Sequence, residues 1–319
     1  MRALLTGGAG FVGQWLARAL LQRGGDVDLA GLGDAFAGPN VLSLDERRAT
    51  RWIAADVRDA DQVEQAIERS RPDAVVHLAG VSFPPDAEQA PASSFDVNAL
   101  GAVRLLSAIR RRTETGVLDP VVLIVGTGTQ YGTHDASAMP LDERAERRPL
   151  TTYAASKAAQ EVAALQVCRA SAMRVICTRS FNHSGIGHGA QYLLPSLVAR
   201  TRRIARGADR TLTLGNDVVR DYLHVDDVVS AYLHLLERGR AGEVYNVASG
   251  RGLSVTQLAA DVLLRAGVRA DISTAPALVR SSDTPILVGS PAKLTRDTGW
   301  IPLKTHADII DDLLNAATD

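Results

Sequence analysis

A tyrosine and a lysine stand four residues apart at Tyr153 and Lys157, in the run Thr-Tyr-Ala-Ala-Ser-Lys. At the start of a predicted helix, this spacing places both side chains on one face. A phenol with its ordinary pKa of about 10 is a poor acid–base group near neutral pH, and an adjacent ammonium lowers that pKa by stabilising the phenolate. The pair therefore predicts proton transfer by Tyr153, assisted by Lys157.

A glycine-rich turn lies near the beginning of the chain, in Thr6-Gly-Gly-Ala-Gly-Phe-Val-Gly13. It follows a predicted strand and precedes a predicted helix. In that position Gly7 permits a tight turn, Gly10 lets the backbone approach a pyrophosphate, and Gly13 lets the helix pack on the strand. Because the helix start also offers free N–H groups and a positive dipole end, the turn predicts dinucleotide binding.

The choice of dinucleotide is usually made at the end of the second strand, where an acid accepts hydrogen bonds from the adenosine ribose. This sequence has Gly31 there, so no carboxylate repels a 2′-phosphate, although no arginine nearby in the sequence attracts one. Asp34 could reach the ribose from the following loop. The choice between NAD(H) and NADP(H) stays open, with NADP(H) favoured.

A hydroxyl-rich loop, Gly126-Thr-Gly-Thr-Gln-Tyr-Gly132, follows an apolar run that reads as a strand. The carboxyl ends of parallel strands are where doubly wound sheets bind their ligands. Thr127 is therefore a candidate for hydrogen bonding a substrate carbonyl or alcohol, and stabilisation of the turn is the alternative role for its hydroxyl.

These residues need a scaffold, and the first half of the chain alternates apolar runs with helical patterns, which is typical of a parallel sheet covered by helices. The pattern predicts an α/β fold: a Rossmann-type doubly wound parallel sheet with a smaller α/β substrate-binding lobe. Strands are predicted at 3–6, 27–32, 52–55, 74–79, 121–125, 175–179 and 244–247. Helices are predicted at 12–23, 61–69, 98–112, 153–170, 193–206, 225–238, 255–266 and 305–316.

The regular alternation of strand and helix patterns ends at about residue 181, after which the predicted loops become longer. We therefore assign residues 1–180 to a dinucleotide-binding domain, to which the segment at about 219–248 returns, and residues 181–319 to an interleaved substrate-binding lobe. The cleft between the two is the expected site.

Charge and composition narrow the classes of partner. The chain of 319 residues has 35 basic and 36 acidic side chains, with lysine only at Lys157, Lys293 and Lys304. A net charge of −1 supplies no long-range field for nucleic acid or an anionic membrane, and no apolar run approaches the ~20 residues of a membrane helix. The sequence has two cysteines and no cluster of residues with zinc-ligand spacing, so we expect a metal-free protein of the reducing cytoplasm. We also expect no cleavable signal. A small molecule is the expected partner.

The motifs in the first half resemble the extended short-chain dehydrogenase/reductase family, whose members act on nucleotide sugars. The resemblance adds Asp56-Val57, His77-Leu-Ala-Gly80 and Asn98 to the motifs above and covers essentially the whole chain. It implies an NAD(P)-dependent enzyme. The partners that it implies are a nucleotide-diphosphate sugar and a second copy of the chain packed through the helices at 98–112 and 153–170.

The same resemblance assigns roles to individual residues. Catalysis falls to Thr127, Tyr153 and Lys157. Cofactor binding falls to Gly7, Gly10, Phe11, Val12, Gly13, Asp56, Val57, Leu78, Ala79, Gly80, Asn98, Tyr153 and Lys157.

Motifs in the second half are similar to the branch of this family that acts on GDP-mannose derivatives. They are Arg179-Ser-Phe-Asn-His-Ser-Gly185, the run Arg220–Asp227, and Arg280-Ser-Ser-Asp-Thr-Pro285. The resemblance implies that Asn182 and Arg220 hold a diphosphate and that Arg280 with Asp283 holds a nucleoside ribose, chemistry that suits guanidinium and carboxylate groups. Arg202, on an arginine-rich helix, is a further candidate for a phosphate contact, with solvated surface as the alternative.

Within that branch the similarity is greatest to reductases that convert GDP-6-deoxy-4-keto-mannose to GDP-rhamnose. The expected reaction is hydride transfer from NAD(P)H with Tyr153 as the acid. A nucleotide-sugar 4-epimerase that retains its NAD is the alternative. A dehydratase is less favoured because Thr129 stands where such enzymes keep an acid, and a non-catalytic dinucleotide sensor would not need the Tyr153 and Lys157 pair.

Overall fold

Strands and helices alternate along the chain in the computed structural model, which describes residues 1–33, 35–36, 41–275 and 284–316. Within these residues the strands are β1 (Arg2–Thr6), β2 (Asp26–Gly31), β3 (Thr50–Ala54), β4 (Ala74–His77), β5 (Val121–Thr127), β6 (Arg174–Ser180), β7 (Asn182–Ser184), β8 (Thr211–Leu214), β9 (Val219–His224), β10 (Val244–Val247), β11 (Gly252–Ser254), β12 (Asp271–Thr274) and β13 (Ile286–Leu287). The helices are α1 (Phe11–Gln22), α2 (Leu44–Arg48), α3 (Ala60–Ser70), α4 (Pro84–Gln89), α5 (Pro91–Phe95), α6 (Gly101–Glu114), α7 (Thr152–Ala170), α8 (Leu193–Ala205), α9 (Val225–Arg238), α10 (Val255–Arg265), α11 (Ala292–Thr298) and α12 (His306–Asn315).

A seven-stranded parallel sheet with the order β10-β6-β5-β4-β1-β2-β3 forms the larger layer. The chain moves outward through β1, β2 and β3, then returns to place β4 on the other side of β1. This reversal is the switch point at which open α/β sheets bind ligands beyond the carboxyl ends of their strands. The predicted Rossmann-type doubly wound sheet is confirmed.

Helices cover both faces of this sheet, which explains the nearly continuous apolar runs of its strands. Neighbouring residues of one strand enter opposite cores: Leu5 packs with α1 and α9, and Leu4 packs with α3 and α6. Two of these helices begin at residues whose side chains cap the first N–H groups. Asp59 caps α3 by accepting from the N–H groups of Asp61 and Gln62, and Thr151 caps α7 by accepting from Ala154.

A smaller lobe is built on strands β7, β9, β11 and β13, with β8 and β12 paired nearby. Helices α8, α10 and α12 enclose its own core, in which Leu197, Leu258 and Ile310 are fully buried. Of the segment predicted to return at 219–248, β10 joins the large sheet and α9 packs on it, but β9 pairs within the smaller lobe. None of the helices described here has both the length and the apolar character needed to cross a bilayer.

Candidate active site

A cleft of about 930 Å³ opens at the switch point and is walled by both lobes. The large sheet contributes the glycine-rich turn, the segments after β3 and β4, and the loop after β5. Ser180, at the end of β6, also lines the cleft, and the smaller lobe contributes Asn182–Ser184 and part of the chain between 187 and 194. This volume lies at the upper end of the range of small-molecule sites, about 300 to 1,000 Å³.

The glycine-rich turn forms one wall of the cleft and packs too closely for side chains. Gly7 has φ +69°, and a Cβ on it would lie 2.7 Å from the backbone nitrogen of Ala79. A Cβ on Gly13 would lie 2.6 Å from the carbonyl oxygen of Gly8. The N-cap of α1 is Gly10, which has no side chain to satisfy the first N–H groups of the helix. The wall therefore fits the pyrophosphate of a dinucleotide.

Most of the predicted cofactor residues line this cleft. Besides Gly7, Gly10, Phe11, Val12 and Gly13 they include Asp56 and Val57 after β3 and Leu78, Ala79 and Gly80 after β4. Asn98 lies behind the wall instead. It is fully buried, its Oδ1 accepts from Val81 N at 2.8 Å, and its Nδ2 donates to Ser156 Oγ at 2.9 Å, so it ties the segment after β4 to α7.

An arginine that was not expected from the sequence lies at the end of the cleft formed by β2 and β3. Gly31 and Arg58 line the same space, and Arg58 binds Asp56 through Nη2 to Oδ2 at 2.6 Å. The hydrogen bonds from Arg58 hold the pKa of the Asp56 carboxyl below its ordinary value. Arg58 is distant from Gly31 in sequence, and only the pairing of β2 with β3 brings the two segments together.

Thr127, Tyr153 and Lys157 all line this cleft. Thr127 ends β5, and Tyr153 and Lys157 lie in successive turns of α7. Thr127 Oγ1 lies 3.0 Å from Thr129 Oγ1, so the hydroxyl of Thr129 helps to hold Thr127 in place.

The pKa values of this group differ from the sequence expectation. Burial raises the pKa of Tyr153 to about 12, and the nearby Thr127 side chain opposes that rise. Burial also lowers the pKa of Lys157 to about 7. The expected lowering of the Tyr153 pKa is therefore wrong for this structure, because loss of hydration disfavours the charged form of both groups and outweighs their spacing.

A glutamine that sequence reasoning missed is the hydrogen-bond partner of Lys157. Lys157 Nζ donates to Gln160 Oε1 at 2.6 Å, and Gln160 Nε2 donates to the carbonyl oxygen of Val125 at 3.1 Å. The spacing of three residues on a helix was the available signal.

The predicted substrate residues are placed in different ways. Asn182 lines the cleft, and its side chain opposes the rise that burial causes in the pKa of Tyr222. Arg220 donates to the carbonyl oxygens of Val219 at 2.9 Å and Thr284 at 2.7 Å, and is not among the described residues that line the cleft. Arg280 and Asp283 lie outside the described residues.

Arg202 lies away from the cleft, so its predicted phosphate contact is not supported. Its Nη2 donates to the carbonyl oxygens of Leu313, Leu314 and Ala316 at 2.9 to 3.1 Å. A cation at the carboxyl end of a helix satisfies carbonyl groups that have no partner within the helix. Arg202 therefore caps α12.

Aromatic rings that were not expected from the sequence cross the cleft. Phe11 stacks on His188 with ring centroids 4.5 Å apart, and His188 stacks on Tyr192 at 4.1 Å. Tyr192 Oη also lies 3.2 Å from Ser82 Oγ. These contacts join the glycine-rich turn and the segment after β4 to the smaller lobe.

Comparison with known proteins places this architecture in a family. The family model described as GDP-mannose 4,6 dehydratase matches residues 4–313. A GDP-6-deoxy-D-mannose reductase of Pseudomonas aeruginosa is 37% identical over 72% of this chain and 75% of that protein. A UDP-glucose 4-epimerase of Corynebacterium glutamicum is 29% identical over 97% of this chain and 92% of that protein. The solved structure of RMD from Pseudomonas aeruginosa complexed with NADPH has a TM-score of 0.81 and 30% identity, covering 98% of both chains.

Proposed function

The chain belongs to the GDP-mannose 4,6-dehydratase family of extended short-chain dehydrogenases/reductases, and from that membership we propose that it reduces GDP-6-deoxy-4-keto-mannose to GDP-rhamnose with NAD(P)H. The observation that carries the proposal is a cleft beside a glycine-rich turn that Thr127, Tyr153 and Lys157 line together. Thr129, in place of a carboxylate, favours a reductase over a dehydratase. The 37% identity to a GDP-6-deoxy-D-mannose reductase supports the choice of sugar.

The cofactor supplies the hydride when it is bound. We expect the backbone of the Gly7 to Gly13 turn to hold its pyrophosphate, because the start of α1 offers N–H groups there. Asp56 and Val57 would contact the adenine end, and Leu78 to Gly80 would lie along the cofactor. Lys157 would bond the ribose next to the nicotinamide.

Tyr153 donates the proton in this proposal. Its raised pKa keeps the phenol protonated at neutral pH, which is the form an acid requires. As the carbonyl carbon gains a hydride, the phenol O–H bond breaks and the proton passes to the carbonyl oxygen. The Thr127 hydroxyl and the Lys157 ammonium then stabilise the phenolate that remains.

The substrate is proposed to enter from the side of the smaller lobe. Asn182 already lines the cleft there, and we retain it with Arg220 for the diphosphate. Arg280 and Asp283 are retained for the nucleoside ribose on the family resemblance alone. Arg202 is left out because it caps α12.

We favour NADP(H) over NAD(H). Gly31 offers no carboxylate to repel a 2′-phosphate, and Arg58 brings a guanidinium to the same part of the cleft. Guanidinium groups bind phosphate through strong, charge-assisted hydrogen bonds.

A homodimer is proposed through α6 and α7. Apolar side chains that a second copy would cover are exposed there: Val103 on α6, Val162 on α7 and Leu100 just before α6, which are 37%, 54% and 49% exposed. Sedimentation equilibrium should give a dimer, and a monomer would contradict this assignment.

The thiols of Cys168 and Cys177 are unpaired, which supports our placement of the enzyme in the reducing cytoplasm.

The reaction is tested by incubating the protein with GDP-6-deoxy-4-keto-mannose and either NADPH or NADH. We expect one cofactor oxidised per molecule of GDP-rhamnose formed, measured by absorbance and by identification of the sugar. The similarity to a UDP-glucose 4-epimerase makes epimerisation the second candidate. Interconversion of UDP-glucose and UDP-galactose without net cofactor consumption would favour that reaction instead.

A further inference from the structure

Lys157 is held inside the protein by a neutral side chain. Its Nζ donates to Gln160 Oε1 at 2.6 Å, and the amide of Gln160 is itself anchored to the carbonyl oxygen of Val125 on β5. Gln160 is fully buried and Lys157 is 6% exposed. The position of the lysine nitrogen therefore depends on an amide that the sheet fixes from behind.

The carboxylate next to Gln160 is directed elsewhere. Glu161 binds Arg179 through both oxygens, at 2.9 and 2.8 Å, and also accepts from Arg147 at 3.0 Å. Its negative charge is thus matched by two guanidinium groups. Among the described residues, Lys157 donates its hydrogen bond to the Gln160 amide and not to this carboxylate.

Titratable groups around Lys157 come from three elements. His77 on β4 and Cys177 on β6 both interact electrostatically with Lys157, and Tyr153 lies one turn earlier on α7. Burial lowers the pKa of His77 to about 3 and raises the pKa values of the Cys177 thiol and of Tyr153, the latter to about 12. All three are therefore neutral at pH 6 to 8, where Lys157 changes its charge.

We propose that Gln160 is a positioning residue that fixes Lys157 Nζ at the cleft wall and sets the pH range in which the lysine keeps its proton. An ammonium has three N–H donors, of which Gln160 accepts one, and Lys157 lines the cleft, where the others can meet ligand hydroxyl groups. The expected effect of Gln160 on cofactor binding rests on the proposed function. The hydrogen bond between Gln160 and Lys157, and its effect on the pKa of the lysine, are independent of that function.

The direction in which the side chain at position 160 shifts the pKa of Lys157 depends on the kind of acceptor it offers. An amide oxygen stabilises the ammonium by a hydrogen bond but adds no full negative charge, so it offsets only part of the cost of burial. Gln160→Leu removes the acceptor and should lower the pKa of Lys157. Gln160→Glu supplies a carboxylate and should raise it. A purely structural role would not move the two variants in opposite directions.

Nuclear magnetic resonance can follow Lys157 directly because the chain has only three lysines. Selective ¹³C labelling at lysine Cε gives three signals, and Lys157→Arg identifies the one from Lys157. Lys293 and Lys304, which pair with Glu243 and Asp226, serve as internal references. In the unsubstituted protein we expect a titration midpoint for Lys157 near the pKa of about 7.

The midpoint should fall by about one pH unit in Gln160→Leu and rise by at least as much in Gln160→Glu. Gln166→Leu is the matched control, since Gln166 is exposed on the same helix, and it should leave the midpoint unchanged. Equal midpoints in the parent and Gln160→Leu, or shifts of Gln160→Leu and Gln160→Glu in the same direction, would overturn the proposal. Where circular dichroism shows that Gln160→Leu does not fold, Gln160→Asn replaces it, because the shorter amide cannot reach Nζ and should also lower the midpoint.

Binding of NADPH, measured by fluorescence between pH 6 and 9, supplies the second readout. The dissociation constant should begin to rise at a lower pH in Gln160→Leu than in the parent, and at a higher pH in Gln160→Glu. A shifted lysine midpoint with unchanged binding would reject the contact between Lys157 and the cofactor while the role of Gln160 toward Lys157 stands.

Discussion

Arg179 and Glu161 form a bidentate ion pair behind the catalytic wall, with Nε to Oε2 at 2.9 Å and Nη2 to Oε1 at 2.8 Å. Both side chains are almost fully buried, and the pair connects β6 to α7. Arg179 Nη1 also donates to the hydroxyl of Tyr131 at 2.9 Å, in the loop that begins at Thr127. The pair therefore sets the position of that loop against the helix that carries Tyr153.

Replacing Glu161 should be costly to stability. Glu161→Leu leaves the Arg179 guanidinium buried without its carboxylate, and we expect the free energy of unfolding to fall by about 3 kcal/mol or more. Urea denaturation measures the change. The exposed pair of Arg110 and Glu114 offers a control, because Glu114→Gln should change stability by less than about 0.5 kcal/mol. Equal effects at the two sites would contradict this account.

Removing the Tyr153 hydroxyl should abolish turnover and spare cofactor binding. Tyr153→Phe keeps the ring but has no proton to donate, so kcat should fall by about a thousandfold, within the range for loss of a general acid. Steady-state kinetics and NADPH titration measure the two effects. Tyr245→Phe is the control, since its hydroxyl bonds Arg240 and Asp297 rather than lining the cleft. Retained activity in Tyr153→Phe would refute the assignment.

The Thr127 hydroxyl should contribute less than the phenol. Thr127→Val removes the hydroxyl that acts on the Tyr153 phenol and hydrogen-bonds Thr129, and kcat should fall about ten- to a hundredfold because the acid is less well oriented. Thr127→Ser retains the hydroxyl and should keep most of the activity. If the serine variant is as impaired as the valine variant, the methyl group rather than the hydroxyl is the important part of Thr127.

Burial of Lys157 should make stability depend on pH. Its folded pKa of about 7 lies below the ordinary value of 10.5, so the unfolded chain binds more protons between these pH values, and stability rises with pH across that window. Lys157→Met removes this titration. The variant should gain most relative to the parent below pH 7, and the difference should shrink as pH approaches 10.5. Urea unfolding at pH 6.5, 8 and 9.5 tests this, and parallel curves for the two proteins would contradict it.

Arg58 should distinguish the two dinucleotides. Arg58→Ala removes a guanidinium from the part of the cleft that Gly31 lines, and we expect the dissociation constant for NADPH to rise about tenfold, the cost of one charge-assisted contact to phosphate. Loss of the Asp56 partner would affect both cofactors equally, so the readout is the ratio of the NADPH and NADH constants. Arg48→Ala, on the exposed surface of α2, is the control. An unchanged ratio would remove Arg58 from cofactor selection.

Much of the site followed from local patterns. The strand, glycine-rich turn and helix at the beginning of the chain were predictable because hydrophobic period and glycine conformation are properties of a few neighbouring residues. The shared face of Tyr153 and Lys157 follows in the same way from the turn of a helix. Short strands such as β7 and β13 were missed, since two or three residues carry no period of their own.

The sequence by itself determined the fold class, the dinucleotide turn and the catalytic spacing, because each is encoded within one segment. Tertiary structure alone decided that Arg202 caps α12, that Arg58 shares a wall with Gly31, and that Phe11 stacks on His188. It also decided the direction of the Tyr153 pKa. Burial and side-chain partners depend on contacts between segments distant in the chain, and local spacing carries no information about the water that those contacts exclude.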